Sequence, residues 1–306
     1  MQSDKQGLWS ELFLAVVGLL LISSARAQPA TGVSGLTDVE YRASLETVQI
    51  PSHGALLNGF VYVASGPNEH PGLILLHGLP GNERNLDLAQ DIRRAGWDVL
   101  YLDYRGSWGT AGEFSFTHGI EDVRAAIAYL KNPENARRLR LDPTRIVLLG
   151  HSMGGFLAVQ TIAQDRSIRA AILISAVDLG GSVPSSYPKE YEEKVLDGIT
   201  LGIAAQGLSP LSGCTPEGLA RELLANAGRW KFINQANALK DRSILILTSN
   251  DGFASGSNAL AAALQSAGDR DITLQHIATD HFYSDKRQVL SENILKWLNA
   301  NAHISR

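Results

Sequence analysis

Short apolar runs alternate with longer amphipathic ones along most of this chain. The short runs predict strands over 45–50, 60–63, 73–76, 99–102, 146–149, 171–174, 244–247 and 272–276. Between them, helices are expected over 86–95, 120–131, 153–164, 259–267 and 288–298. In the second of these, Ile120, Val123, Ile127 and Leu130 recur at helical spacing. The inner strand segments are apolar without a break, as strands are when helices cover both faces of the sheet. Strands that alternate with helices imply an α/β fold with a mostly parallel central sheet.

The rhythm stops between residues 178 and 240, where Gly, Pro, Ser and charged residues dominate the first half. A stretch of that length is too long for a bare loop. It reads as a helical cap inserted over the sheet, with helices over 187–196, 216–226 and 232–239, the last belonging either to the cap or to the core. The whole domain then runs over 45–300. Tyr187, Tyr191, Leu196, Ile199, Leu201 and Ile203 either line an apolar pocket or form the cap's own core.

Composition adds limits. With 306 residues and 44% hydrophobic positions, the chain can bury a large core. Net charge is −4 and the basic residues are scattered, apart from Arg137-Arg138-Leu139-Arg140, which reads as a solvated connection. A nucleic-acid partner is therefore not expected. Residues 12–22 are unbroken apolar, with Lys5 before them and Ala25-Arg26-Ala27 after. That length suits a signal peptide, residues 1–27, cleaved after Ala27, which would place the protein in the periplasm or outside the cell, with no membrane span after processing. A retained N-terminal membrane anchor is the alternative. Cys214 is the only cysteine, so no disulfide forms within the chain, and its loop-like setting gives no sign of a thiol nucleophile.

The chemistry is concentrated where 146–149 runs into Gly150-His151-Ser152-Met153-Gly154-Gly155. Strand, tight turn and helix in succession lift the serine above the sheet edge, at a helix N-terminus that favours negative charge. A serine hydroxyl needs a base. His281, in Ala278-Thr279-Asp280-His281-Phe282, follows the last strand and so shares that sheet edge, whereas His276 lies on the strand and His151 is expected to point away. Asp251, in Ser249-Asn250-Asp251-Gly252, supplies the carboxylate on the same edge. Asp178 and Asp280 are rivals for that role. The order Ser152, Asp251, His281 is that of a Ser-His-Asp triad on an α/β sheet. Oxyanion donors are expected from the backbone N–H of Met153 and of Leu79, the latter in His77-Gly78-Leu79-Pro80-Gly81.

With His77-Gly78, Asp103-Tyr104-Arg105-Gly106 and the Ser152 elbow, the chain resembles the α/β-hydrolase superfamily from about residue 45 to 298, apart from the cap. The run Asp103-Tyr104-Arg105-Gly106-Ser107-Trp108-Gly109 resembles the dienelactone-hydrolase and prolyl-oligopeptidase-like branch. That resemblance implies esterases and peptidases that need no cofactor and no metal. The expected activity is cleavage of a small carboxylic ester through an acyl-enzyme. The alternatives are peptidase or amidase action on short peptides, and a non-catalytic binding protein. Tyr104 is read either as a possible substrate contact or as a packed brace.

Overall fold

The protein is described by a computed structural model covering residues 41–301 apart from Arg270. The expected signal peptide, residues 1–27, lies outside the described residues. Strands β1 (Ser44–Ser52) and β2 (Ala55–Val63) form an antiparallel hairpin with Ser52 opposite Ala55. His53 and Gly54 both take positive φ, 45° and 85°, which is the geometry a two-residue turn needs to match strand twist. This hairpin carries β2 five residues further back than the expected strand at 60–63.

The remaining strands are β3 (His70–Leu76), β4 (Asp98–Leu102), β5 (Leu141–His151), β6 (Ala170–Ile174), β7 (Ser243–Thr248) and β8 (Ile272–His276). The sheet order is β1-β2-β4-β3-β5-β6-β7-β8, parallel from β4 to β8. Every residue of β3, β4, β6 and β7 is buried. Side chains alternate between the faces. Leu73, Leu75, Val99 and Tyr101 pack with Leu88 and Ile92 of α1 (Leu86–Arg94) and Leu290, Ile294 and Leu298 of α9 (Arg287–Ala300). Ile74, Leu76, Leu100 and Leu102 pack on the other face with α2 (Phe116–Lys131), α4 (Met153–Ile162), α7 (Phe232–Leu239) and α8 (Ala254–Ser266). Burying one such Leu or Ile contributes about 1.5–3 kcal/mol, so these two layers dominate the stability.

From β3 the chain winds out to β4, then returns past β3 to β5 and continues the other way. The winding direction thus reverses between β3 and β5. Loops at the carboxyl ends of these two strands diverge and leave a crevice, which is where ligands bind in open α/β sheets.

The basic run at 137–140 is not a bare connection. It ends helix α3 (Pro133–Leu139), capped by Asn132, whose side chain accepts from the N–H of Glu134 and Asn135. Arg140 closes the helix in the left-handed region, and its guanidinium donates to the carbonyls of Ala64 (2.9 Å) and Gly66 (3.2 Å). Seven residues are too few for a hydrophobic period to show.

In the interval after β6, a 3-10 turn (Lys189–Tyr191) leads into α5 (Glu192–Ala204), followed by α6 (Pro216–Trp230) and α7. Helix α6 belongs to the core layer. Leu219, Ala220 and Leu223 are buried there, Trp230 meets Phe156 edge-on at 5.2 Å, and the Glu222 carboxylate accepts the N–H groups of Phe116 and Thr117 at the start of α2. Ile203 is the one buried residue of α5, and Leu196 and Ile199 pack half-buried against the core, so α5 rests on this layer from outside, against α6.

One buried carboxyl gives a pH signature. Asp98 accepts the Ala64 N–H at 2.8 Å through one oxygen, while the other is buried without a partner. Burial pushes its pKa up to about 7, more strongly than the Ala64 hydrogen bond and Arg140 pull it down. The folded state therefore holds this proton where the unfolded chain has released it, and stability falls as pH rises from about 4 to about 7. Asp98→Asn is expected to raise Tm at pH 9 by about 2–4 °C, with the gain shrinking as pH falls and vanishing below about pH 4. A gain independent of pH, measured by thermal melts at both values, would contradict this origin.

Candidate active site

Ser152 sits at the turn between β5 and α4 with φ 56° and ψ −119°, a conformation costly for any L-residue. Its neighbours make that turn possible. A Cβ at Gly150 would lie 2.2 Å from the Gly154 carbonyl oxygen, and one at Gly154 would lie 2.1 Å from that of Leu76. Hydrogen bonds hold the strained residue in place: its N–H donates to Ile174 (2.9 Å), and its carbonyl accepts from Gly155, Phe156 and Val177. Among the described residues the Ser152 hydroxyl makes no hydrogen bond, and it lines a cleft of about 140 Å³ with Leu79, His281 and Phe282.

His281 and Asp251 meet across the β7 and β8 loops. Nδ1 of His281 donates to Asp251 Oδ2 at 2.8 Å. The Asp251 side chain is 3% exposed and that of His281 20%. Burial alone would raise the Asp251 pKa, but hydrogen bonds from His281, the Phe253 N–H, and the Ser175 and Ser249 hydroxyls outweigh it and hold the carboxyl below its ordinary value. The carboxylate is thus charged wherever the imidazole needs it.

Neither rival carboxylate faces His281. Asp178 Oδ1 accepts the N–H groups of Gly181 (2.8 Å) and Phe232 (3.2 Å), and Asp280 Oδ1 accepts those of Phe282 and Ser284 within its own loop. Cys214 is half-buried against the core and does not line the cleft.

The turn after β3 lies directly over the serine. Gly78 comes so close that a Cβ there would be 3.0 Å from the Ser152 Cβ. Two side chains of the Asp103–Gly109 run fix this turn by its carbonyls: Tyr104 Oη donates to His77 O (3.1 Å) and Trp108 Nε1 donates to Pro80 O (2.8 Å). Tyr104 is fully buried, with its ring 4.4 Å from that of His77, so it braces the turn and does not touch the cleft. The reading of Tyr104 as a substrate contact is corrected accordingly. His77 is also fully enclosed: its Nδ1 donates to Gly78 O, and burial pushes its pKa down to about 4, so it is neutral. Leu79 lines the cleft, and Met153 is the first residue of α4, where helical N–H groups lack partners within the helix.

Residues 73–289 match the alpha/beta hydrolase family, from within β3 to the start of α9. The chain belongs to that family. This alpha/beta hydrolase is 28% identical over 131 residues to the quorum-quenching protein AidA of Acinetobacter baumannii, covering 41% of each chain. It is 29% identical over 147 residues to the proline iminopeptidase PfmaB of Pestalotiopsis fici, covering 46% of this chain and 47% of PfmaB. The chain thus spans less than half the length of these curated relatives. Among solved structures, an esterase of Pyrococcus furiosus superposes with a TM-score of 0.58 at 15% identity, covering 88% of this chain and 97% of the esterase.

The geometry of this alpha/beta hydrolase departs from the sequence reading at one residue beside the serine. His151 does not point away. It lies under His281, with ring centroids 4.8 Å apart, and its Nε2 donates to the His281 carbonyl at 2.9 Å. Beneath Asp251, a buried trio of hydroxyls was also missed: Ser175 Oγ lies 2.9 Å from Ser249 Oγ and 3.2 Å from Tyr283 Oη. The one available signal was that Ser175 and Ser249 each follow directly on a strand end, β6 and β7. The candidate pocket residues of the interval mostly pack inward: Tyr187, Leu196 and Ile199 lie against the core, Tyr191 and Leu201 are exposed, and only Ala205 and Gln206 of this segment border the cleft.

Proposed function

We propose that this alpha/beta hydrolase is a serine hydrolase that cleaves a small carboxylic ester through an acyl-enzyme. The observation that carries the reading is the 2.8 Å contact of His281 Nδ1 with the buried Asp251 carboxylate, in a cleft that also exposes the free Ser152 hydroxyl. A carboxylate on Nδ1 leaves Nε2 of the neutral imidazole as an acceptor, the tautomer a general base requires. Ser152 Oγ then attacks the ester carbonyl while His281 takes its proton. The N–H groups of Leu79 and Met153 hold the oxyanion. His281 returns the proton to the departing alcohol, and a water that it activates releases the acid from Ser152.

The space beside the serine is small before the cleft opens to solvent, which makes short acyl groups the preferred fit. A cavity of about 150 Å³ holds a benzene-sized guest, and this cleft has about 140 Å³ beside the serine. A second reading, amide cleavage on small peptides, draws support from the similarity to the iminopeptidase PfmaB over less than half its length. A panel of p-nitrophenyl acetate, butyrate and octanoate, run beside aminoacyl p-nitroanilides, separates the two. Acetate and butyrate are expected to turn over fastest, and a fluorophosphonate probe to label Ser152 alone. Active protein with no labelled Ser152 would sink the proposal, and faster anilide turnover would move it to the peptidase reading.

The apolar stretch at 12–22 supports export with cleavage after Ala27, so that the reaction takes place outside the cytoplasm. N-terminal sequencing of the mature protein should then begin at Gln28, whereas an intact leader in the membrane fraction would mean a retained anchor.

A further inference from the structure

His151 is 2% exposed, and its position next to Ser152 on the elbow puts it within one hydrogen bond of the base. A carbonyl oxygen only accepts, so the bond to His281 O fixes the proton on His151 Nε2. Nδ1 is then a bare acceptor, buried and without a partner. The ring lies 4.8 Å from that of His281, tilted by 42°, and 6.0 Å from that of Phe282. The other hydrogen bonds of the base loop fasten its flanks. Asn250 N–H donates to Thr279 O, Arg287 donates to Phe282 O, and Asp280 caps Phe282 and Ser284. The bond from His151 is the one that reaches the backbone of His281 itself.

We propose that His151 is a positioning residue for the general base: its Nε2–H ties the His281 backbone to the serine elbow and so sets the gap that the proton crosses from Ser152 Oγ. The proposal rests on the Ser152-His281-Asp251 reading above. The chemistry explains why a neutral ring suits this place. During attack His281 becomes an imidazolium, and a second cation beside it would oppose that charge. Burial pushes the His151 pKa down to about 4, with the neighbouring His281 and Arg287 acting the same way, against weaker upward pulls from its hydrogen bond to the His281 backbone and from Asp251. The ring therefore stays uncharged while the base cycles, and it supplies a donor without supplying a charge. Small losses of alignment between nucleophile and base are costly, which makes one fixed bond at this point worth keeping.

His151→Phe keeps the ring and removes the donor. It is expected to lower kcat for p-nitrophenyl acetate roughly tenfold with KM within about twofold, the size of effect that losing one buried hydrogen bond allows. His151→Gln places an amide N–H near the position of Nε2 and is expected to recover kcat to within about threefold of the parent protein. A purely structural role would not divide the two variants in kcat at equal KM. Rates are normalised to sites titrated with the fluorophosphonate, and His151→Leu carries the same expectation as Phe should the latter fail to fold. A donorless variant with parental kcat, or a Gln variant no better than the donorless one, overturns the proposal. Parent protein that neither hydrolyses the ester nor labels at Ser152 would instead overturn the triad reading beneath it.

Discussion

Ser152→Ala is expected to lower kcat for a good ester substrate by about 10⁶-fold while leaving the fold intact, the loss seen when a triad loses its nucleophile. The physical basis is specific to this turn. The Ser152 hydroxyl makes no hydrogen bond among the described residues, so its removal leaves no buried partner unpaired. The strained backbone at φ 56° is retained by an alanine at similar cost, because both residues carry a Cβ. Tm should thus stay within the range of an ordinary surface change, about 0.5 kcal/mol of stability. What disappears is the one atom that can form the acyl-enzyme. Any residual turnover would come from the Leu79 and Met153 donors and from substrate binding, which in related machinery leave about 10³–10⁴-fold over water. Steady-state kinetics with p-nitrophenyl acetate and a melt of the same preparation test both halves. A variant that keeps a tenth of the activity would remove Ser152 from the chemistry. A parent protein with no activity, yet saturable ligand binding, would favour a binding protein on this fold.

The topology explains why so much of the site could be read from the chain. Parallel strands buried on both faces, such as 73–76 and 244–247, are continuously apolar, and each ends in a loop on one common edge of the sheet. Ser152 and Asp251 follow β5 and β7, whose apolar runs are buried, and His281 follows the more exposed edge strand β8, so locating the strands located the residues together. His151 escaped because its direction is set by the φ of 56° at Ser152 and by the loop after β8, neither of which leaves a periodic trace. The hydroxyl trio escaped for a similar reason: Ser175 and Tyr283 meet only because both take positive φ, 42° and 57°. Helix α3 was too short to show its period. Residues 187–203 illustrate the converse, since an amphipathic pattern states that a face is buried and not which surface covers it. There the apolar face met the core, and the cleft border fell to Ala205 and Gln206 at the helix end.

Asp251→Asn is expected to cost about 10⁴-fold in kcat, and Asp178→Asn almost nothing, because only one of the two carboxylates faces the base. An asparagine at 251 is isosteric and can keep the loop in place. Its amide can present N–H where the carboxylate presented only acceptors, so His281 is free to take the tautomer with the proton on Nε2, and a base protonated there cannot accept from Ser152. The charge that stabilises the forming imidazolium is lost as well. Around Asp251 the cost in stability is modest, because the Phe253 N–H and the Ser175 and Ser249 hydroxyls can still donate to the amide oxygen. Asp178 lies in a different setting. Its Oδ1 accepts from Gly181 and Phe232 and so anchors the start of α7, a task an amide oxygen performs equally well. Burial already raises the Asp178 pKa, ahead of the hydrogen bonds that lower it, so neutralising the group should relieve a small strain. Parallel kcat and Tm measurements on the two variants decide the assignment. Parental kcat in Asp251→Asn together with a collapse in Asp178→Asn would move the acid to β6 and require the base loop to be rebuilt around it.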